Sequence, residues 1–304
     1  MMQLTSILGN SQRLDGGAMF GNCPRALWSR WCPPDEQGRI ALACRCFLLE
    51  YRDQKILIEA GVGAFLEPAL RERYGVVEEE HCLLKNLARA GIQPDEIDVV
   101  LLSHLHFDHA GGLLSAFVDG ANSLVFSKAT HVVGASALRR AEEPHRRDRA
   151  SFLPQLPGLL RDSGCLAIVE QEQERHDALG PRVRLLSSSG HTPGMLLPLL
   201  EGEAARALFC ADLIPGRPWV HLPITMGYDR CAERLIDEKE SIYRELGPKT
   251  HLLFTHDAQM AGGELGQEEE RKKLRFFSDN SYGEFVRWNL DADLRPQEAA
   301  EALT

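Results

Sequence analysis

One segment of the chain carries most of its recognisable chemistry, and it reads Ser103-His104-Leu105-His106-Phe107-Asp108-His109-Ala110-Gly111-Gly112. It directly follows an apolar run at residues 99–102, which predicts a buried strand. Three imidazoles and one carboxylate therefore lie close together at the end of a strand. Such donors bind zinc, iron and related divalent ions. Because the whole chain has only 11 histidines, this density predicts a metal site.

Three further candidate ligands follow short apolar runs elsewhere in the chain. They are His191 after residues 183–186, Asp212 after residues 207–210 and His256 at the end of residues 251–254. A single histidine after a strand is more often structural than a ligand. The repeated order of strand and then donor, however, predicts that all of them converge on one site. Because this series spans most of the chain, we expect one domain over residues 1–304.

These seven residues are similar to the ligand set of the metallo-β-lactamase superfamily, and the resemblance covers about residues 14–264. It implies an α/β fold, the four-layer αβ/βα sandwich with two mixed β-sheets. It also implies two divalent metal ions, expected to be zinc, with iron or manganese as alternatives. By this resemblance the first metal takes His104, His106 and His191, the second takes Asp108, His109 and His256, and Asp212 bridges the two.

Two other segments, residues 14–21 and 226–229, resemble the branch that contains quorum-quenching lactonases and methyl-parathion-hydrolase-like esterases. Three positions depart from that branch. Glu59 replaces the usual Asp, and we expect this change to affect only the support of a ligand. Met195 replaces a further His of many lactonases, and Pro215 replaces the Tyr of some. The last two departures argue against lactonase activity itself.

The resemblance implies hydrolysis by a metal-bridging hydroxide, which two ions about 3.5–4 Å apart hold ready near neutral pH. Asp108 would also orient this hydroxide. Tyr228 and His221, in the loop after Asp212, are the other catalytic candidates, and Tyr228 is suited to donate a hydrogen bond to the developing oxyanion. The competing interpretations are a packed aromatic for Tyr228 and a surface or supporting histidine for His221. No Gly-x-Ser-x-Gly element is present.

We expect the substrate to be a small molecule, either a lactone or a carboxylic or phosphate ester. No basic pocket is evident, and aromatic residues near the N-terminus suit an uncharged, partly apolar compound, although they could equally form a structural clasp (Phe20, Trp28, Trp31). A thioesterase resembling glyoxalase II is one alternative, and it would need basic residues to hold glutathione. A metal-dependent binding protein without turnover is another, which the complete ligand set disfavours.

The formal net charge of −10 argues against a nucleic-acid partner. A local basic cluster is interpreted as a solvated helix end and comprises Arg139, Arg140, Arg146, Arg147 and Arg149. Eight scattered cysteines without a CxxC pair, and no apolar leader, predict reduced thiols and a cytoplasmic protein. No run approaches the roughly 20 apolar residues of a membrane span, so no membrane partner is expected. A homodimer follows from the family resemblance only.

Patterning predicts an edge strand at residues 2–8 and a hairpin of residues 41–51 and 54–59. Further strands are expected at 124–126 and 130–133. Helices are predicted at residues 78–90, 134–142 and 229–246, with a short one at 296–303. Residues 144–164 suggest a proline-broken helix that forms part of a flap.

Overall fold

The computed structural model describes residues 1–118, 122–170, 172–246, 249–268, 273–278, 285–292 and 297–298. The strands are β1 (Met2–Asp15), β2 (Arg39–Tyr51), β3 (Gln54–Ile58), β4 (Val99–Leu101), β5 (Thr130–Gly134), β6 (Leu166–Val169), β7 (Val183–Ser188), β8 (Met195–Glu201), β9 (Arg206–Phe209), β10 (Thr250–Leu253), β11 (Gly262–Glu268), β12 (Lys273–Ser278), β13 (Val286–Asn289) and β14 (Gln297–Glu298). The α-helices are α1 (Gly16–Phe20), α2 (Arg25–Trp31), α3 (Pro68–Arg73), α4 (Cys82–Arg89), α5 (Phe107–Ala110), α6 (Ala135–Glu142), α7 (Leu156–Asp162) and α8 (Ala232–Leu246). Short 3-10 helices occur at Pro94–Glu96, Gly111–Leu113, Arg149–Ser151, Asp177–Leu179, Ala211–Leu213 and Arg217–Val220.

The described strands form two mixed sheets, as predicted. The first has the order β14-β13-β1-β2-β3-β4-β5-β6, and the second has the order β12-β11-β10-β9-β8-β7. In the first sheet β3 to β6 run parallel, whereas in the second only β9 and β10 do. Neighbouring parallel strands end within two residues of one another, so the loops that follow them lie at one edge of their sheet.

The hairpin of β2 and β3 is confirmed, and its two turn residues explain its tightness. Arg52 and Asp53 both have positive φ, at 51° and 62°, which is the backbone of a two-residue turn that matches the twist of the strands. The helices predicted at 78–90, 134–142 and 229–246 are present as α4, α6 and α8. The strand at 130–133 is present as β5.

Three predictions of secondary structure are wrong. Strand β1 is not at an edge, because β13 pairs with it on the side away from β2. Residues 124–126 form no strand, since only Leu124 makes an isolated bridge, to Leu114. Within the predicted helix at 296–303, residues 297–298 pair with β13 as a strand, and the others lie outside the described residues.

The predicted flap contains a 3-10 helix at 149–151 and then α7, whose first turn holds Pro157.

The two sheets are joined by main-chain hydrogen bonds close to the predicted ligands. Leu196 N, in the second sheet, donates to Ser103 O beside the histidine-rich segment at 2.8 Å, and Arg45 N in β2 donates to Thr255 O at 2.9 Å. One apolar core fills the space between the sheets and extends under α8. A second core lies under α4, α6 and α7 on the other face of the first sheet. The site is therefore built where the two sheets touch.

None of the eight cysteines forms a disulfide, and all of them lie within the described residues. Among the described helices, none is long and apolar enough to cross a bilayer.

The side chain of His131 in β5 is buried, and neither ring nitrogen has a hydrogen-bond partner among the described residues. Burial lowers the pKa of His131 to about 4, from 6.5. The unfolded chain therefore takes up this proton more readily, so stability is present above pH 6.5 and is lost as the pH falls towards 4. Between pH 7 and pH 4.5 this effect lowers the free energy of unfolding by about 2–3 kcal/mol, and we expect His131→Leu to abolish it. Urea unfolding of the wild-type and His131→Leu proteins at pH 7 and pH 4.5 measures this change. The expectation is contradicted if both proteins lose the same stability between the two pH values.

Candidate metal centre

The seven predicted ligands come from both sheets and meet at the edge where the sheets touch. The first sheet supplies the segment after β4, which turns into α5 and presents His104, His106, Asp108 and His109. The second sheet supplies His191 after β7, Asp212 after β9 and His256 after β10. These side chains fall into two groups, and within each group the donor atoms lie within 4.8 Å of one another. The first cluster is His104, His106, His191 and Asp212, and the second cluster is Asp108, His109 and His256.

In the first cluster, one nitrogen of each imidazole points towards the neighbouring rings. His106 Nδ1 lies 2.9 Å from His104 Nε2 and 3.3 Å from His191 Nε2. Burial and the neighbouring imidazoles hold the pKa of His104 and His106 well below the usual value. Both rings are therefore neutral near pH 7, which is the form in which imidazole binds a metal.

The second cluster is as compact. His109 Nε2 and His256 Nε2 are 3.2 Å apart, and Asp108 Oδ2 lies 3.6 Å from His256 Nε2. Burial alone would lower the pKa of His109 and His256, but the carboxylates of Asp212 and Asp108 outweigh it and raise both pKa values. A cation is therefore favoured at this position, either as protons on the imidazoles or as a metal that displaces them.

Asp212 belongs to the first cluster and also faces the second. Its Oδ2 is 3.1 Å from His191 Nε2, and its Oδ1 is 3.3 Å from His109 Nε2 and 3.2 Å from His256 Nε2. Burial acts to raise the pKa of Asp212, but these three imidazoles outweigh it and hold that pKa well below its usual value. One ionised carboxylate therefore faces both clusters, with one oxygen towards each.

The spacing of the donors fits metal ions. Four ligands arranged tetrahedrally at the roughly 2.0–2.1 Å bond lengths of zinc are about 3.3 Å apart. The neighbouring donor pairs named above are 2.9–3.6 Å apart, and all donors of a cluster lie within 4.8 Å of one another. Four of the five imidazoles have their outer nitrogen engaged by another group, so that only Nε2 is available to an ion (His104, His109, His191, His256). This arrangement is typical of metal-binding histidines.

The outer partners of the imidazoles explain one departure noted in the sequence. Glu59 Oε2 lies 3.1 Å from His109 Nδ1, and Glu59 Oε1 accepts a hydrogen bond from Ser103 N at 2.8 Å. Its backbone has φ of 68°, a conformation that is unfavourable for a residue with a side chain. Glu59 thus supports a candidate ligand from a strained turn, in agreement with the role expected for it.

Sequence reasoning assigned no role to Asp229, although it lies in the segment 226–229 that suggested a branch of the family. Its Oδ1 lies 2.8 Å from His191 Nδ1, and its Oδ2 accepts from Met226 N at 2.6 Å. Both Asp229 and His191 are buried. The only signal in the sequence was the position of a carboxylate just before a helix, which is also a common way to begin a helix.

We expect Asp229→Ala to weaken binding of an ion at the first cluster by about 10- to 100-fold, because loss of an outer partner frees the His191 ring. Competition between the protein and a chromophoric chelator for zinc measures this change. Asp237→Ala is the matched control, since Asp237 is an exposed carboxylate on α8. Equal zinc affinities of the two variants would contradict the assignment.

The two non-ligand candidates differ in their surroundings. Tyr228 is 43% exposed and near enough to Asp108 that, after burial, this carboxylate helps to raise the pKa of the phenol. His221 is exposed at the end of the 3-10 helix at 217–220, and neither donor cluster includes it. A catalytic role for either residue stays a prediction.

The aromatic residues near the N-terminus form a packed cluster. Phe20 stacks between Trp28 and Trp219 at ring separations of 5.5 and 4.4 Å, and it is fully buried. A different apolar cavity of about 330 Å³ lies beside the metal-site segment, with Phe107 in its wall. Its other lining residues include Phe65, Leu70, Tyr74, Phe117 and Phe152.

Comparisons with known proteins agree with this geometry. N-acyl homoserine lactonase of Bacillus cereus is 30% identical over 172 residues, which make up 52% of this chain and 58% of that protein. A second N-acyl homoserine lactonase, from Bacillus sp., is 29% identical over 170 residues with the same coverage. The chain thus spans less than two thirds of the length of these curated relatives.

Two solved structures are similar over nearly the whole chain. A probable metal-dependent hydrolase from Staphylococcus aureus superposes with a TM-score of 0.80 at 25% identity, covering 93% of this chain and 98% of that one. AidC, described as a dizinc quorum-quenching lactonase in complex with a product, has a TM-score of 0.67 at 18% identity, covering 91% and 94%. At that identity the second likeness concerns the fold alone.

The family expected from the ligand pattern is confirmed, as is its αβ/βα sandwich. The Metallo-beta-lactamase superfamily matches residues 39–256, a range that includes all seven candidate ligands. More than half of the chain is matched, so the chain belongs to the metallo-beta-lactamase superfamily.

Proposed function

We propose that this chain is a binuclear metal-dependent hydrolase that opens a lactone or cleaves a carboxylic or phosphate ester. The observation that carries the proposal is the position of Asp212. Its two oxygens face different clusters at 3.1–3.3 Å, an arrangement suited to one carboxylate shared by two ions. His104, His106 and His191 would hold one ion, and Asp108, His109 and His256 would hold the other, with zinc as the expected metal.

Two divalent ions at these positions would polarise the substrate carbonyl or phosphoryl oxygen and lower the pKa of water to near neutrality. Side chains of the protein would orient the attacking water and the substrate. Asp108 accepts a hydrogen bond from the attacking water and so aims its lone pair at the substrate. Tyr228 donates a hydrogen bond to the oxygen that gains negative charge. Its phenol is protonated at neutral pH, and burial and Asp108 raise its pKa further.

The apolar cavity beside the site and the likeness to the Bacillus lactonases support this substrate class. The cavity of about 330 Å³ is lined mainly by aromatic and aliphatic side chains, and Phe107, which lies between two candidate ligands, forms part of its wall. An apolar acyl group fits this lining. N-acyl homoserine lactones, the compounds named for the Bacillus relatives, combine an uncharged lactone ring with such a group.

Hydrolysis by the zinc-loaded protein, followed by pH-stat across N-acyl homoserine lactones, simple lactones, aryl esters and phosphotriesters, tests the proposal. Asp108→Asn provides the blank, and Asp237→Asn controls for the loss of an unrelated carboxylate. We expect turnover of a lactone that depends on acyl length and is lost only in Asp108→Asn. Turnover of esters but not lactones would overturn the lactone assignment. No turnover of any oxygen ester would overturn the whole proposal and direct the search to glutathione thioesters.

A further inference from the structure

Residues 145–153 form a segment between α6 and α7, called here the strap, which contacts two different parts of the site. At its C-terminal end, Phe152 packs edge-on against the imidazole of His106 at a ring separation of 4.8 Å, and the two residues form an isolated β-bridge. Nearby, Tyr74 Oη donates a hydrogen bond to Ala150 O at 3.0 Å. This end of the strap therefore rests on one ligand of the first cluster.

The other end of the strap is fastened by one side chain. Arg147 Nη2 donates to Gly227 O at 2.6 Å and to Asp229 O at 3.0 Å. These carbonyls flank Tyr228, and the Asp229 carboxylate is the outer partner of His191. Arg147 is thus the polar contact between the strap and the turn that supports a second ligand of the first cluster.

The strap is also braced against the helix that precedes it. Arg140 in α6 forms an ion pair with Asp148 at 2.7 Å, and both side chains are largely buried. Within the basic cluster of the sequence, Arg140 and Arg147 are therefore engaged. By contrast, the side chains of Arg146 and Arg149 are exposed, and neither guanidinium group forms a hydrogen bond or ion pair among the residues that the structure describes.

We propose that Arg147 is a positioning residue. By fixing the strap to the turn at 226–229, it keeps Phe152 against His106 and the Asp229 carboxylate against His191. Both supported residues belong to the first cluster, and within the described part of the chain no hydrogen bond, ion pair or ring contact joins the strap to a ligand of the second cluster. The strap is consequently expected to stabilise one half of the metal centre. This inference rests on the proposed metal centre but not on the identity of the substrate.

The test uses full-length zinc-loaded protein and follows the release of zinc to a chromophoric chelator, a readout that needs no substrate. We expect Arg147→Ala to speed release of one zinc equivalent by about tenfold, the lower end of the effect of an outer partner, and to leave the other unchanged. Tm should change by less than about 2 °C, since the contact is at the surface. Arg147→Lys, which retains a donor, should restore part of the slow release.

Arg146→Ala and Arg149→Ala are matched controls, because they remove the same charge from the same segment. Release from Arg147→Ala that equals release from these controls would overturn the proposal. Equal acceleration of both zinc equivalents, together with a fall in Tm, would also overturn it, since it would indicate general loosening. If wild-type protein holds a single zinc, the binuclear proposal fails, and the strap is then judged by whether Arg147→Ala speeds release of that ion.

Discussion

Replacing Asp212 by asparagine is expected to reduce bound zinc from two equivalents to one and hydrolysis by more than about 100-fold. Loss of an outer partner of a ligand already costs 10- to 100-fold, so loss of a shared ligand should cost more. Asparagine keeps the shape of the side chain but has one oxygen and no charge. It therefore cannot face His191 and the His109–His256 pair with two equivalent acceptors, as Asp212 does.

Metal content after dialysis, measured by elemental analysis, and the hydrolysis rate of the best substrate check this expectation. Far-ultraviolet circular dichroism confirms that the variant is folded. Asp237→Asn, the exposed carboxylate control, should keep both ions and full activity. An Asp212→Asn protein with two tightly held ions would contradict the bridging position.

Gly112→Ala is expected to lower the free energy of unfolding by about 3 kcal/mol, the upper range for an overpacked site. A Cβ at this position would lie 2.0 Å from Ala60 O and 2.9 Å from Ala60 C, which are backbone atoms. They cannot withdraw easily, because Ala60 N donates to His109 O and Gly112 N donates to Gly61 O. The glycines that end the histidine-rich segment therefore permit close approach of the two backbones.

Gly158→Ala is the matched control, since Gly158 lies in α7 and a Cβ there would meet no atom within 4 Å. Alanine favours a helix more than glycine does, so this variant should be more stable by up to about 1 kcal/mol. Urea unfolding of the metal-free proteins measures both changes. Equal stabilities of the two variants would show that the backbone contact at Gly112 is unimportant.

The parts of the site that were predictable are those encoded by local order. Each candidate ligand follows a strand, so the ligands of one sheet are expected at the same end of that sheet. That the ends of the two sheets meet depends on how the sheets pack together. Asp229 was not predictable in the same way. Its contact with His191 joins residues 38 positions apart, and it depends on how the turn at 226–229 folds back onto the site.

Long-range pairing also explains the errors in the fold. Residues 2–8 were expected at an edge, but β13 comes from the opposite end of the chain and pairs with β1. The burial of Lys239 in α8 is also not evident from the sequence, because lysine side chains usually lie on the solvent face of a helix. Lys239 is instead fully buried and donates to Trp219 O and Ile224 O, and burial lowers its pKa to about 7.

The division of the candidate ligands between two sheets links metal supply to the lifetime of the folded chain. Neither sheet carries a full donor cluster: Asp108 and His109 need His256, whereas Asp212 and His191 need the histidines after β4. An ion held across this boundary binds the docked sheets only, so mass action adds about 2.7 kcal/mol when free metal exceeds Kd by 100-fold. When metal is scarce, a larger fraction of the chains would have undocked sheets, which proteases can cleave. The amount of this protein in a cell would then follow the metal supply.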